Sequence, residues 1–331
     1  MFKKFLFSIV PVGTVLIIGF GAAEYTLRQK HTSWDPHGLD SSPRGHRECY
    51  RLDINTGYEP IPNKCGRDDK GFYRTWEGAS KSDAYKMLVF GDSIADQHLW
   101  VQETTEQLAH TWDSSVETKN AGTPGFDTCS ELQMFRDKGL DEDFDHLLLQ
   151  FCPNDLASTA TIVALPDNRV RFFIGFEYVE FPRWALSSRV LTWLSIQTLH
   201  RHQQSIGNRA SVEPVEHCIR EFKELTTQKN ARFSVILFPS FIDSLESNEI
   251  ILTVRGKHFN TKRAEELSRD LLDDLDIEYI EVRDIFHEQD LSLESHRNVP
   301  KDLWHPNNYG QKVIGQALGT WIAHTYPLQK Q

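Results

Sequence analysis

Ser93 follows an apolar run, Met87-Leu88-Val89-Phe90, and a Gly91-Asp92 pair. A serine hydroxyl is a poor nucleophile until a base takes its proton and donors stabilise the resulting oxyanion. The clearest base is His305, in Lys301-Asp302-Leu303-Trp304-His305-Pro306-Asn307, just before a proline-initiated helix. Asp302 precedes it by three residues. In a tight turn that spacing brings a carboxylate to the ring nitrogen facing away from the serine, where it fixes the tautomer and stabilises imidazolium. Two other predicted strand ends offer oxyanion donors. At Gly122 the missing side chain lets a backbone N–H approach a ligand, and Asn154 carries a side-chain amide. Taken singly, each residue has an ordinary explanation. A serine after a strand is commonly a turn residue or helix N-cap. One histidine among 14 is commonly a surface residue, Asp302 a turn former, and Asn154 an Asx turn in Pro-Asn-Asp. Asp155 reads as a structural hydrogen-bond acceptor.

The elements that must bring these residues together are legible as an alternation. Strands are predicted at Tyr85–Phe90, Val116–Asn120, His146–Phe151, 232–238 and 277–282, with helices near 97–112, 128–138, 212–228, 264–275 and 307–324. Short apolar strands separated by helices predict an α/β fold with a parallel five-stranded sheet covered on both faces. Right-handed crossovers then carry every strand's C-terminus to one edge, where open α/β sheets hold their ligands.

Gly91-Asp92-Ser93, Asn120-Ala121-Gly122, Asn154-Asp155 and Asp302-x-x-His305 resemble, in order, the four sequence blocks of the SGNH (GDSL-type) hydrolase superfamily, over about residues 86–315. The resemblance implies a three-layer α/β/α, flavodoxin-like domain and esterase or lipase-type acyl hydrolysis without a metal. It makes Ser93 the nucleophile and His305 the base oriented by Asp302. The oxyanion hole becomes the Ser93 N–H, the Gly122 N–H and the Asn154 side chain. One position departs from the pattern: Cys152 stands where the third block usually has glycine. It reads as a small buried thiol, with a bond to Cys129 as the alternative. The expected activity is that of an exported serine esterase acting on a carbohydrate acetyl ester or a lipid. An O-acetyltransferase acting on an exported glycan differs only in whether water or a sugar hydroxyl resolves the acyl-enzyme. A non-catalytic binding module on the same fold is the reading from another class.

The flanks bear on location. Residues 5–23 are apolar except for Ser8 and Thr14, behind Lys3-Lys4. That length just spans a bilayer, so residues 1–28 are expected to be a membrane anchor, or a signal peptide cleaved after Gly21-Ala22-Ala23. Either route exports the remainder. Residues 29–84 read as an extension, with 69–74 a turn leading into a short strand, packed on a main domain of 85–327 that carries an insertion at 157–207. The lead-in Gly71-Phe72-Tyr73-Arg74 also resembles a membrane-anchored bacterial branch of the superfamily. Cys49 and Cys65 are expected to form a disulfide in an oxidising compartment, worth on the order of 3 kcal/mol through the unfolded chain. Within the insertion, 169–173 and 176–181 predict a hairpin around Gly175. Residues 187–202 predict a helix that either packs on the core or forms a lid or membrane-facing surface. The net charge of −11, with no basic stripe, argues against nucleic-acid binding. The absence of Cys-x-x-Cys and His-Glu-x-x-His leaves no metal or cofactor expected.

Overall fold

A computed structural model of the chain describes residues 2–30, 49–53, 56–76, 78, 80–156, 160–164, 169–174, 177–182, 184–185, 188, 190–191, 194, 213–243, 251–254 and 257–328. Helix α1 (Phe2–Lys30) is followed by a hairpin of β1 (Tyr50–Asp53) and β2 (Gly57–Pro60), then by short β3 (Tyr73–Arg74). The main alternation begins with β4 (Tyr85–Phe90), α2 (Ser93–Asp96), α3 (Leu99–Trp112), β5 (Val116–Asn120), α4 (Thr128–Met134) and β6 (His146–Phe151). Strands β7 (Ala160–Ala164), β8 (Arg169–Ile174) and β9 (Glu177–Pro182) form a separate antiparallel sheet. The chain continues with α5 (Glu213–Gln228), β10 (Arg232–Leu237), β11 (Ile251–Val254), β12 (Lys257–Asn260) and α6 (Thr261–Asp274). It closes with β13 (Tyr279–Glu281), α7 (Val282–Glu288) and α8 (Asn308–Thr325).

Among the described residues, the central sheet has six strands in the order β13-β10-β6-β4-β5-β3. The predicted five are parallel, with Val89 opposite Leu148 on one side and Asn120 on the other. Counted along the chain, those five take the flavodoxin-like order 2-1-3-4-5, whose switch point lies beside the first strand. Strand β4 is that first strand, and Ser93 follows it. The sixth strand, β3, corrects the expectation of five. It comes from the N-terminal extension and pairs antiparallel with β5 (Tyr73 opposite Asn120). The short strand itself is the one expected within 69–74; its pairing with β5 is what local sequence does not show.

Alternation of side chains across each strand divides the core into two layers. Met87, Val89, Leu148 and Ile236 face a cluster with Trp100 and Val101 of α3 and Ile314 and Leu318 of α8. Leu88, Phe90, Leu149 and Val235 face the other way, onto Leu132 of α4, Phe222 of α5 and Leu272 of α6. The architecture is therefore three-layer α/β/α. β6 is not wholly apolar. His146 and Gln150 are buried in it, and His146 bonds the Ser234 hydroxyl at 2.7 Å. Burial lowers the pKa of His146 to about 3, so it stays neutral at ordinary pH.

The extension is stapled by a disulfide between Cys49 and Cys65. Cys152 is a buried free thiol, and the alternative bond to Cys129 is not formed. Cys129 instead hydrogen-bonds with Cys218 of α5. The expected hairpin in the insertion is present as β8 and β9, although its turn at 175–176 lies outside the described residues. Of the expected helix at 187–202, Val190, Leu191 and Leu194 are described as helical, and most of the remainder lies outside. Glu24 of α1 accepts hydrogen bonds from the Ser188 hydroxyl and the Val190 N–H, both at 3.0 Å. Among the described residues, no helix is long and apolar enough to cross a membrane. The side chains at 2–13, which carry much of the expected anchor, lie outside the description.

Candidate active site

The turn after β4 is held by two acceptors. The side chain of Gln150 in β6 accepts the Asp92 N–H at 2.9 Å, and Asp92 in turn caps α2 by accepting the Ile94 N–H at 2.8 Å. Ser93 thereby occupies the first position of α2, where a helix N–H has no intrahelical partner. Sequence reasoning missed Gln150. Its signal was a polar side chain inside an apolar strand, which requires a buried partner.

His305 arrives from a loop tied to the same sheet edge. Phe241, beyond β10, donates its N–H to Leu303 and accepts from the Arg297 guanidinium through its carbonyl, while Asn298 donates to the His305 carbonyl at 2.8 Å. Asn307 then caps α8 by accepting the Gly310 N–H at 2.9 Å. The result is an aligned relay. Ser93 Oγ lies 2.7 Å from His305 Nε2, and His305 Nδ1 lies 2.9 Å from both carboxylate oxygens of Asp302. With the Nδ1 proton directed at Asp302, Nε2 is left to accept from serine. Burial alone would raise the Asp302 pKa. The N–H of Trp304, the His305 ring and the His305 N–H together hold it below the usual carboxylate range. Asp302 is therefore ionised at neutral pH, as an orienting carboxylate must be.

The expected oxyanion donors fare differently. The Gly122 N–H turns inward and donates to Asn120 Oδ1 at 2.8 Å, so it is not available to a ligand. Gly122 is glycine for another reason. A Cβ there would lie 2.5 Å from the backbone of Ala95 and Asp96, so the glycine lets the β5 loop lie directly on α2. Three residues on, Gly125 takes a left-handed φ of 80°. Its N–H has no protein acceptor among the described residues. The signal for it was Pro124-Gly125, a pair that favours a turn with positive φ at the glycine. Asn154 lies in a short 3₁₀ turn after β6. Its Nδ2 is a long 3.5 Å from Asp92 Oδ2, and its Oδ1 is buried without a hydrogen-bond partner among the described residues. Its amide nitrogen thus has donor capacity left over.

The neighbouring groups have structural parts. Asp155 accepts from the Thr128 hydroxyl at 3.0 Å, and burial, reinforced by Asp92 and Asp127, pushes its pKa well up. Burial likewise pushes the Cys152 thiol well above its ordinary pKa, leaving it protonated and a poor nucleophile. Among the described residues, no group of three or more His, Cys, Asp or Glu side chains could hold a metal ion.

No family model matches the sequence, and no curated protein matches it. Solved structures do align with the chain. An acetylxylan esterase, Axe2, from Geobacillus stearothermophilus is 12% identical, with 75% of this chain and 96% of that chain covered and a TM-score of 0.45. LAE5, an alpha/beta hydrolase enzyme from the metagenome of Lake Arreo, Spain, is 14% identical over 76% of this chain and 100% of that chain, with a TM-score of 0.44.

Proposed function

We propose that the protein is a serine esterase of the SGNH type, and the observation that carries this reading is the unbroken Ser93–His305–Asp302 relay, with contacts of 2.7 and 2.9 Å. Ser93 Oγ attacks the ester carbonyl while His305 Nε2 takes its proton, and Asp302 stabilises the imidazolium that forms. The tetrahedral oxyanion is received by the Ser93 N–H, the Asn154 amide and, in place of Gly122, the Gly125 N–H. Collapse expels the alcohol, protonated by His305. Water, deprotonated by His305, then cleaves the acyl-enzyme and regenerates Ser93. Each donor in such a hole is worth about 10²–10³-fold in rate.

A fluorophosphonate probe tests the reading. The unaltered protein gains one adduct mass, mapped to Ser93 by peptide sequencing, and Ser93→Ala gains none. A folded, unaltered protein that stays unlabelled would mark a binding module instead.

We further propose that the catalytic domain is exported and attached to a membrane through α1. Val15, Ile17 and Ile18 expose 67%, 75% and 65% of their surface and need an apolar neighbour. The Cys49–Cys65 disulfide fits an oxidising compartment. Full-length protein should stay with membranes through alkaline carbonate extraction, and protein lacking residues 1–28 should not. Release of the full-length protein would refute the attachment.

A further inference from the structure

The N-terminal extension does more than cover the domain. Three of its side chains converge on Asp96, the last residue of the four-residue helix that Ser93 begins. The Arg67 guanidinium donates to Asp96 Oδ1 at 2.6 Å, and the Tyr73 and Tyr50 hydroxyls approach the same oxygen at 3.2 and 3.5 Å. Arg67 also donates to the Gly122 carbonyl at 2.8 Å and to the Gly71 carbonyl at 2.9 Å. Its side chain is 0% exposed, and its guanidinium lies 4.1 Å from the Tyr73 ring centroid. One buried cation thus joins the end of the nucleophile helix to the loop that follows β5.

A second contact reaches the same loop farther along. The Tyr58 hydroxyl donates to the Pro124 carbonyl, next to Gly125. The approach to Arg67 is itself constrained: Cys65 and Gly66 take left-handed φ values of 52° and 78°, with Cys65 tied to Cys49 by the disulfide. The left-handed region is costly for a residue with a Cβ and persists where surrounding structure imposes it.

From these contacts we infer that Arg67 is a positioning residue for the reaction, fixing the Ser93 helix against the loop that carries the Gly125 N–H. This rests on the esterase reading above. The geometry explains why arginine is needed. Nη2 donates to Asp96 Oδ1 and to the Gly122 carbonyl while Nη1 donates to the Gly71 carbonyl, so the three acceptors are divided between the two arms of one planar fork. Lysine carries the charge without the fork, and methionine fills the space without either. α2 is also held at its start through Gln150 and Asp92. Along its length the Trp100 indole N–H donates to the Ile94 carbonyl at 2.9 Å and the Asn120 amide to the Ala95 carbonyl at 2.8 Å. The Asp96 carboxylate at its far end is held from the extension. Losing Arg67 removes the charged partner of Asp96 and its tie to the Gly122 carbonyl, and misplacement of about 1 Å costs on the order of 10²-fold in a positioned reaction.

The test compares unaltered protein, Arg67→Met, Arg67→Lys and Asp96→Asn in acetyl-ester hydrolysis and in fluorophosphonate labelling followed over time by intact mass. In Arg67→Met, kcat and the labelling rate constant should fall together by at least about tenfold, with KM within about twofold. Arg67→Lys should recover part of the rate. A purely structural role predicts another pattern: a smaller fraction of molecules that ever label, each reacting at the unaltered rate. That pattern would overturn the inference. If Arg67→Met fails to accumulate as folded protein, Asp96→Asn decides in the same way, since it removes the charged partner while keeping its shape. Failure of the unaltered, folded protein to label would overturn the esterase reading and this inference with it. Normal labelling by Arg67→Met would overturn the inference alone.

Discussion

Replacing Ser93 with alanine should lower hydrolysis of a short aryl ester by on the order of 10⁶-fold, and removing His305 as well should add almost nothing. The magnitude is that of hydrolases in which nucleophile and base act as a unit. The non-additivity has a structural cause. Ser93 Oγ and His305 Nε2 are 2.7 Å apart, so the serine is activated only through that imidazole, and the imidazole has no other proton to move in the acylation step. What survives in Ser93→Ala is rate from substrate binding and the oxyanion donors. Hydrolysis is followed at saturating ester in Ser93→Ala, His305→Ala and the double variant. Losses that multiplied in the double variant would show that His305 works independently of Ser93. Turnover by Ser93→Ala near the unaltered level would remove Ser93 from the chemistry.

Asp302→Asn should cost about 10⁴-fold with the loop in place. An asparagine amide presents its N–H₂ to His305 Nδ1 and favours the tautomer whose proton sits on Nε2. That imidazole donates towards Ser93 where it must accept. The same substitution has a signature in stability. Burial raises the Asp302 pKa, but the Trp304 N–H and the His305 ring lower it more, so its folded value lies below the unfolded one of about 3.9. A depressed carboxylate contributes stability that is present above the unfolded pKa and lost as pH falls through the folded one. Thermal unfolding between about pH 5 and pH 2 should therefore be less steeply pH-dependent in Asp302→Asn than in the unaltered protein. Equal slopes would mean that Asp302 is not held by those donors. An activity loss under tenfold would mean that it does not set the tautomer.

The parallel sheet was legible because buried strands are continuous apolar runs, as in Met87-Leu88-Val89-Phe90, and because each ends where polar turn residues begin. Bounds at β4, β5 and β6 come out as predicted for that reason. Strand β3 was legible as a short strand closing the turn at 69–74, but its place in the central sheet was not, since that pairing depends on an edge of β5 that only the assembled sheet presents. Asp302 and His305 were readable as a pair through local spacing. Their approach to Ser93, 212 residues away in the chain from His305, depends on the sheet order. Gly122 shows the limit of reading a residue type. A glycine after a strand signals a close approach, and here the backbone approaching it belongs to α2 rather than to a ligand.

By itself, the sequence determined the alternation of strands and helices, the nucleophile, base and acid candidates, and the pair of cysteines that close the extension. Those rest on apolar period and on neighbours a few residues apart, which local chemistry records. The tertiary structure alone decided that the Gly122 amide is spent on Asn120 and that the Gly125 N–H has no acceptor among the described residues. It alone placed Arg67 at the far end of the Ser93 helix, through contacts 29 and 55 residues along the chain. Directions of N–H groups and partners of a buried charge are set by how distant segments pack, and composition and spacing carry no record of that packing.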